Sequence, residues 1–306
     1  MPGSDDSTQN PSDPPINATP ELARSSPIPS GLVLVATPIG NLADLSSRAL
    51  AALRAADLVL CEDTRTTARL LSHYGIAVPT AALHERNEEA RIPGLLERLR
   101  GGARLALVSD AGTPLVSDPG YRLVRAAIAQ AIPVTGIPGP NAALLALTLS
   151  GLPPLPFLFL GFPPPREAAR RTDFARLRAA ERAGLCATLI WHEAPHRLAG
   201  MLADLCSAFG DRPAAVAREL TKRFEEVRRA PLLDLASHYS AEAPRGEITV
   251  VVGQAPAEQA DLEDLDGELR RVLATHSVKD AAALVAAATG LPRRTVYARA
   301  LELAKA

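Results

Sequence analysis

From Gly31 the chain settles into a beat that few architectures accommodate: short apolar runs, each emptying into a loop of small and polar residues, alternate with helix-length amphipathic stretches. GLVLVATP is followed by SSRALAALRAA, DLVLCED by TARLLSHYG, and AALHE by EARIPGLLERLR; RLALVSD, GYRLVRAAIAQA, PVTGIPG and NAALLALTLSG continue it. Leu- and Val-rich runs that stop at Gly and Pro read as buried strands, and the segments between them as helices. Their alternation predicts an α/β fold whose sheet is largely parallel and covered on both faces. In such sheets ligands sit in the loops at the carboxyl ends of the strands.

The proline cluster GLPPLPF (Gly151–Phe157) cannot continue a helix and marks a linker. It divides an α/β domain, 31–152, from a second α/β half, 153–254, with FLFLGF, CATLIWHE, AAVAREL and GEITVVVG as its strands. In residues 255–306 the acidic EQADLEDLDGE reads as a solvated connector or a helix start. SVKDAAALVAAATGLPRRTVYARALEL then forms two short helices around TGLP, either a nucleic-acid-binding helix–turn–helix or a plain helical cap. Residues 1–30, rich in Pro, Ser, Asp and Asn, hold too few large apolar groups to offset the entropy of ordering and are expected to be disordered.

A net charge of −1 means that a nucleic-acid partner must be held by a local patch rather than by the whole-protein field. Two segments qualify: PPPREAARRTDFARLRAAERAG, with Arg166, Arg170, Arg171, Arg176, Arg178 and Arg182, and RELTKRFEEVRR, with Arg218, Lys222, Arg223, Arg228 and Arg229. The plainer reading of each is a solvated helix face. No apolar run approaches the roughly 18 residues of a membrane helix, and the first residues do not resemble a secretory signal. Cys61, Cys186 and Cys206 have no metal-binding spacing, which points to a reducing cytoplasm. The glycine fingerprints of dinucleotide and P-loop sites are missing, as are H-E-x-x-H and paired-Cys motifs, so no metal is expected.

Chemistry is concentrated in the strand-end loops ATPIGNL, CEDTR, LHERNE, SDAGTPLVSDPG, IPGPNAA, LGFPPP, WHEAPHR and ARELTK, a series that suggests one cleft. VATPIGNLADLSSRAL, EDTRTTARLLSHYGI, SDAGTPLVSDPGYRLVRAA, PGPNAALLALTLSGLP and ARELTKRFEEV, in this order, resemble the ribosomal RNA small subunit methyltransferase I family of the tetrapyrrole methylase superfamily. The resemblance spans residues 31 to about 253, and the tail is similar to that family's small helical C-terminal domain. It implies a two-domain, non-Rossmann S-adenosylmethionine methyltransferase fold with the cofactor in the cleft between the domains, usually within a homodimer. It also implies 2′-O-ribose methylation of a cytidine in the decoding region of 16S ribosomal RNA, within the small ribosomal subunit. A methyltransferase for a small tetrapyrrole, or a non-catalytic ribosomal RNA-binding protein, are the alternatives.

Carried over by position, the resemblance implies cofactor contacts at Pro38, at Asp110, Ala111, Gly112, Thr113 and Ser117, at Asn141 and Ala142, at Trp191 and His192 in a loop of the second domain, and at Ala217. Gly112 and Ala111 are expected to leave the backbone bare for a flat ligand, with Asp110 as an acceptor. Where the family commonly has Tyr-Glu-Ser-Pro-His-Arg, this chain reads His192-Glu193-Ala194-Pro195-His196-Arg197, and His192 reads as a packing substitute. Methyl transfer is an in-line displacement that needs alignment and a proton acceptor for the weakly acidic ribose hydroxyl. Glu62, Asp63, His84 and Glu85 are the candidates; Glu62 and Asp63 could instead pair with Arg65 and Arg69 to organise their loop. Arg65, Arg166, Arg170, Arg171, Arg197 and Lys222 are candidate contacts to RNA phosphates.

Overall fold

The computed structural model describes residues 29–255, 262–289, 291 and 293–304. The disorder expected for 1–30 therefore concerns residues that, apart from Pro29 and Ser30, lie outside the described ones. Two compact units are present: one takes residues up to Ala36 with 45–110 and 118–138, the other takes 37–44, 111–117 and 139 onward.

The first unit is built on five strands, β1 (Gly31–Val35), β2 (Leu58–Cys61), β3 (Thr80–Ala82), β4 (Arg104–Val108) and β5 (Val134–Ile137), all parallel in the order β3-β2-β4-β1-β5. Every strand-to-strand connection is a crossover, so all five carboxyl ends lie along one edge. Val33, Val35, Val59, Cys61, Ala106 and Val108 point to one face and pack with α1 (Ser47–Ala55) and α2 (Thr64–His73). Residues of opposite parity, Leu32, Leu60, Leu105 and Leu107, are equally buried, as are Leu95 and Leu99 of α3 (Glu88–Arg100) and Leu123 of α4 (Tyr121–Ala129). Double-sided burial is what near-continuous apolar strands dictate.

In the second unit β6 (Phe157–Phe159), β7 (Thr188–Glu193), β8 (Pro213–Arg218), β9 (Glu226–Pro231) and β10 (Ile248–Val252) lie in the order β6-β7-β10-β8-β9. Only β6 and β7 run parallel; the other pairs are antiparallel. Ile190, Ala215, Ala217 and Val251 pack with α5 (Ala142–Ser150), while Leu189, Trp191, Val216 and Val250 pack with α6 (Glu167–Arg182), α7 (Leu198–Phe209) and α8 (Leu232–Ala241). The basic segment RELTKRFEEVRR is not a helix face, because Glu226 to Arg229 form the edge strand β9.

Two carboxylates buried among α6, α7 and the loop before β8 are each shared by two arginines. Asp204 accepts the Nε atoms of Arg170 and Arg171, both at 2.7 Å. Glu181 accepts Arg212 Nη1 at 2.7 Å and Nη2 at 2.8 Å, and Arg178 Nη1 at 3.2 Å. Finally α9 (Leu262–Leu273), α10 (Val278–Thr289) and α11 (Arg293–Leu303) close around a core of their own, with Leu265, Leu269, Ala282, Val285, Val296 and Ala300 inside. Among the described residues no helix is long and apolar enough to cross a membrane.

Candidate cofactor and substrate site

Three strand-end loops are knotted together in the second unit. Thr37 and Gly112 exchange backbone hydrogen bonds, N–H to O at 2.9 and 3.1 Å. The Thr113 hydroxyl donates to Pro140 O at 3.3 Å and accepts from Asn141 Nδ2 at 3.2 Å, while Asn141 Oδ1 caps α5 by accepting Leu144 N–H at 3.0 Å. Pro38, buried, follows Thr37, and Ala142 opens α5. An open groove of about 610 Å³ with Ile39, Pro140, Asn141, Leu144 and Thr221 in its wall adjoins this knot.

The loop packing supplies its own reason for a glycine at position 112. Gly112 sits at φ +91°, and an added Cβ would lie 3.3 Å from Ile39 Cγ2 and 3.6 Å from Pro140 O. Its backbone N–H and C=O both bond Thr37, so the packing of neighbouring loops by itself favours glycine here. Leu115 and Ser117 in the same loop also hold positive φ, 72° and 66°, a left-handed backbone that L residues adopt only when their surroundings fix it. Ala111 and Ser117 are exposed.

Within the first unit, the ends of β2, β3 and β4 gather a set of acids. Asp110 Oδ1 accepts the Asp63 N–H at 3.1 Å. Asp63 caps α2 and chelates Arg65 through Nε at 3.0 Å and Nη2 at 2.7 Å; that hydrogen bonding holds its carboxyl down at about 2. Asp63 and Arg65 thus organise their loop, and Arg65 does so with its side chain 86% exposed. Glu62 is different: its side chain is exposed, yet the desolvation it does undergo and then the charges of Asp110, Asp118 and Glu85 push its carboxyl above the ordinary range, with His84 opposing. Asp118 is pushed up by burial first, against a hydrogen bond from Ser109, and its Oδ2 is buried without a partner. Sequence reasoning gave Asp118 no role, although the repeated Ser-Asp of SDAGTPLVSDPG was its signal. His84 Nδ1 is likewise buried and unpartnered, and Glu85 is exposed.

Several expectations are corrected in the second unit. Trp191 and His192 belong to strand β7 and not to a loop. Trp191 is 0% exposed, its ring set against Phe174 and Phe209, so its side chain is core and cannot line a ligand site. His192, one residue on, turns to the face shared with α5; it lies edge-on to Phe159, its Nδ1 is 3.1 Å from Thr249 Oγ1, and burial pulls its imidazole below the usual range. Ala217 is buried in the α5-facing layer. Arg170, 6% exposed, is consumed by Asp204 and is no phosphate contact. Arg197 is held by Glu193 Oε1 at 2.7 Å, and Lys222 Nζ by Glu219 at 2.8 Å and Glu247 at 3.1 Å. Arg166 and Arg171 are exposed.

Comparison with known proteins fixes the family. Residues 31–236 match the family model described as Tetrapyrrole (Corrin/Porphyrin) Methylases, and residues 259–304 match the RsmI C-terminal HTH domain. The chain is 50% identical over 279 residues to Ribosomal RNA small subunit methyltransferase I of Mesorhizobium japonicum, covering 90% of this chain and 93% of the relative. The protein of the same name from Pseudomonas aeruginosa is 46% identical, with 89% and 96% covered. The chain belongs to the ribosomal RNA small subunit methyltransferase I family. Its fold is accordingly that of the tetrapyrrole methylases, also seen in a solved diphthine synthase at 17% identity and a TM-score of 0.55, covering 72% of this chain and 90% of that one.

A member of this family uses S-adenosylmethionine, and the residues present suit that cofactor. S-Adenosylmethionine is rich in hydrogen-bond donors, namely an ammonium, ribose hydroxyls and the adenine amino group, and Asp118 Oδ2 is a buried acceptor lacking a donor. Asp110 beside it commits Oδ1 to Asp63. Two results are expected of the loop knot. Asn141→Ala, losing the α5 cap and the Thr113 link together, should lower stability by about 1 kcal/mol in chemical denaturation. Gly112→Val places a β-branched residue in left-handed backbone against Ile39, and calorimetry should show S-adenosylmethionine affinity reduced on the order of tenfold or more, about 1.4 kcal/mol; affinity within twofold of the unsubstituted protein would separate the knot from the cofactor.

Proposed function

We propose that this chain transfers the methyl group of S-adenosylmethionine to the ribose 2′-oxygen of a cytidine in the decoding region of 16S ribosomal RNA, acting on the small ribosomal subunit in the cytoplasm as a homodimer. The observation that carries the reading is its continuous likeness, over about nine-tenths of the chain, to proteins named for methylation of small-subunit ribosomal RNA.

When bound, S-adenosylmethionine supplies an electrophilic methyl carbon on sulfonium. The chain's share is placement and proton handling. Pro38, Asp110, Ala111, Gly112, Thr113, Ser117, Asn141 and Ala142 hold the cofactor in this reading. Glu62 takes the ribose hydroxyl proton on its carboxylate oxygen as the O–C bond forms and the methyl–sulfur bond breaks, the electron pair leaving on sulfur as a neutral thioether; its raised affinity for protons makes it a better base than Asp63, which Arg65 keeps ionised. His84 and Glu85 shape its surroundings. Arg166 and Arg171 are exposed enough to meet phosphates; Arg197 and Lys222 would first have to leave their carboxylates.

The deciding experiment supplies labelled S-adenosylmethionine and purified small subunits lacking modifications, then separates the nucleosides. Label is expected in 2′-O-methylcytidine. Label in another nucleoside, or none while a control methyltransferase labels the same subunits, overturns the reading.

A further inference from the structure

The arginines of α6 do not spread evenly around the helix. Arg171, Ala175, Arg178 and Arg182 follow one another at spacings of four, three and four residues, which places them on a single face. That face forms one wall of a groove of about 350 Å³ whose other wall is α7, with Asp204, Ser207 and Ala208. The groove is electropositive by construction. Asp204 is shared by Arg170 and Arg171, and Glu181 by Arg178 and Arg212, so each buried carboxylate leaves one guanidinium charge uncompensated. Glu167 offsets one charge through Arg171, and Arg182 has no carboxylate within ion-pair distance among the described residues. These five arginines against three carboxylates leave an excess of two positive charges in a chain whose net charge is −1.

The lining also states what kind of anion fits. Arg171 and Arg178 are tethered by carboxylates, so their remaining N–H donors are held in place before a ligand arrives, and planar guanidinium forks match phosphate oxygens. Alanines, a serine and the arginine-paired Asp204 make the rest of the wall, with no aromatic ring on which a base could stack. Along the helix axis the three arginines stand about 10 and 6 Å apart, a spacing suited to several phosphates of one strand and too wide for a single small anion. We propose that the α6–α7 groove is a sequence-independent docking surface for the phosphodiester backbone of RNA, read by Arg171, Arg178 and Arg182. The proposal rests on the ribosomal RNA reading above and adds to it a defined surface, which picks Arg171, Arg178 and Arg182 out of the basic α6 segment.

The test uses the full chain with a fluorescent fifteen-nucleotide oligouridine as probe, titrated over a range of salt, beside calorimetric binding of S-adenosylmethionine. The double variant Arg178→Gln with Arg182→Gln is expected to fold, since Glu181 keeps its bidentate Arg212. It should bind the probe on the order of tenfold more weakly, and the slope of log affinity against log salt should fall in magnitude by about 1.4, or 0.7 for each lost phosphate contact on a single strand. Arg178→Lys with Arg182→Lys should keep most of the slope. An unchanged slope and affinity in the Gln variant overturn the groove, as does equal competition by inorganic phosphate or by polyglutamate. Failure of the unsubstituted protein to bind any RNA, with S-adenosylmethionine binding intact, overturns the ribosomal RNA reading itself.

Discussion

Glu62→Gln is expected to lower kcat for methyl transfer by about 10²- to 10⁴-fold, the usual share of a positioned general base, with little change in the KM for S-adenosylmethionine. The physical reason is the environment at the end of β2. Partial desolvation of this otherwise exposed side chain, followed by the negative charges of Asp110, Asp118 and Glu85, raises the Glu62 carboxyl above its ordinary value. A base must be unprotonated to work, so kcat should fall as pH drops through that raised value. The acid limb of the profile then lies above the usual glutamate range, and Gln at 62 should abolish the limb as well as the rate. Asp63→Asn is the contrasting case, because Arg65 holds that carboxyl at about 2 and no limb at ordinary pH belongs to it. A Glu62→Gln enzyme with the rate and profile of the unsubstituted protein would remove Glu62 from the chemistry.

Arg212→Ala should be the most damaging change to the second unit's stability, at about 3–5 kcal/mol. Arg212 and Glu181 are each 1% exposed, and the guanidinium also lies 5.2 Å from the Phe209 ring centre. Deleting the arginine leaves a buried carboxylate with only the weaker Arg178 contact at 3.2 Å. Replacing both partners, Arg212→Met with Glu181→Leu, removes the charge that needs compensation and should restore most of the loss. Thermal denaturation reads the comparison: the single variant should melt about 6–20 °C lower, at about 2–4 °C per kcal/mol for a unit of this size. Equal melting of the single variant and the unsubstituted protein would mean that water reaches the pair.

The first unit was legible because its strands are buried on both faces, so β1, β2 and β4 stand out as continuous apolar runs between helices. The loops that close on one another were legible as motifs, yet the partner that Gly112 accommodates, Ile39, lies far off in sequence and no local signal names it. The same distance hid the fate of Arg170, which looks like any helical arginine until Asp204 of α7 is brought against it. Trp191 and His192 lie in CATLIWHE, legible as a strand, although the resemblance set them in a loop; the polar end of β7 is tolerated because Glu193, 2% exposed, is ion-paired with Arg197. Strand β9 went unread for a different reason, since Glu226, Arg228 and Arg229 carry the charge expected of a solvated surface rather than of a sheet.

That charge on β9 has a further consequence. An outermost strand offers a row of backbone donors and acceptors to any other extended chain, and long apolar ones seed aggregates. Here one outermost strand, β9, carries Glu226, Arg228 and Arg229 and ends at Pro231, while the opposite one, β6, is three residues long and follows Pro153, Pro154 and Pro156. Neither border offers a second sheet a long, uncharged strand on which to grow, and the charged residues that guard one of them are the same ones that concealed β9 in the sequence.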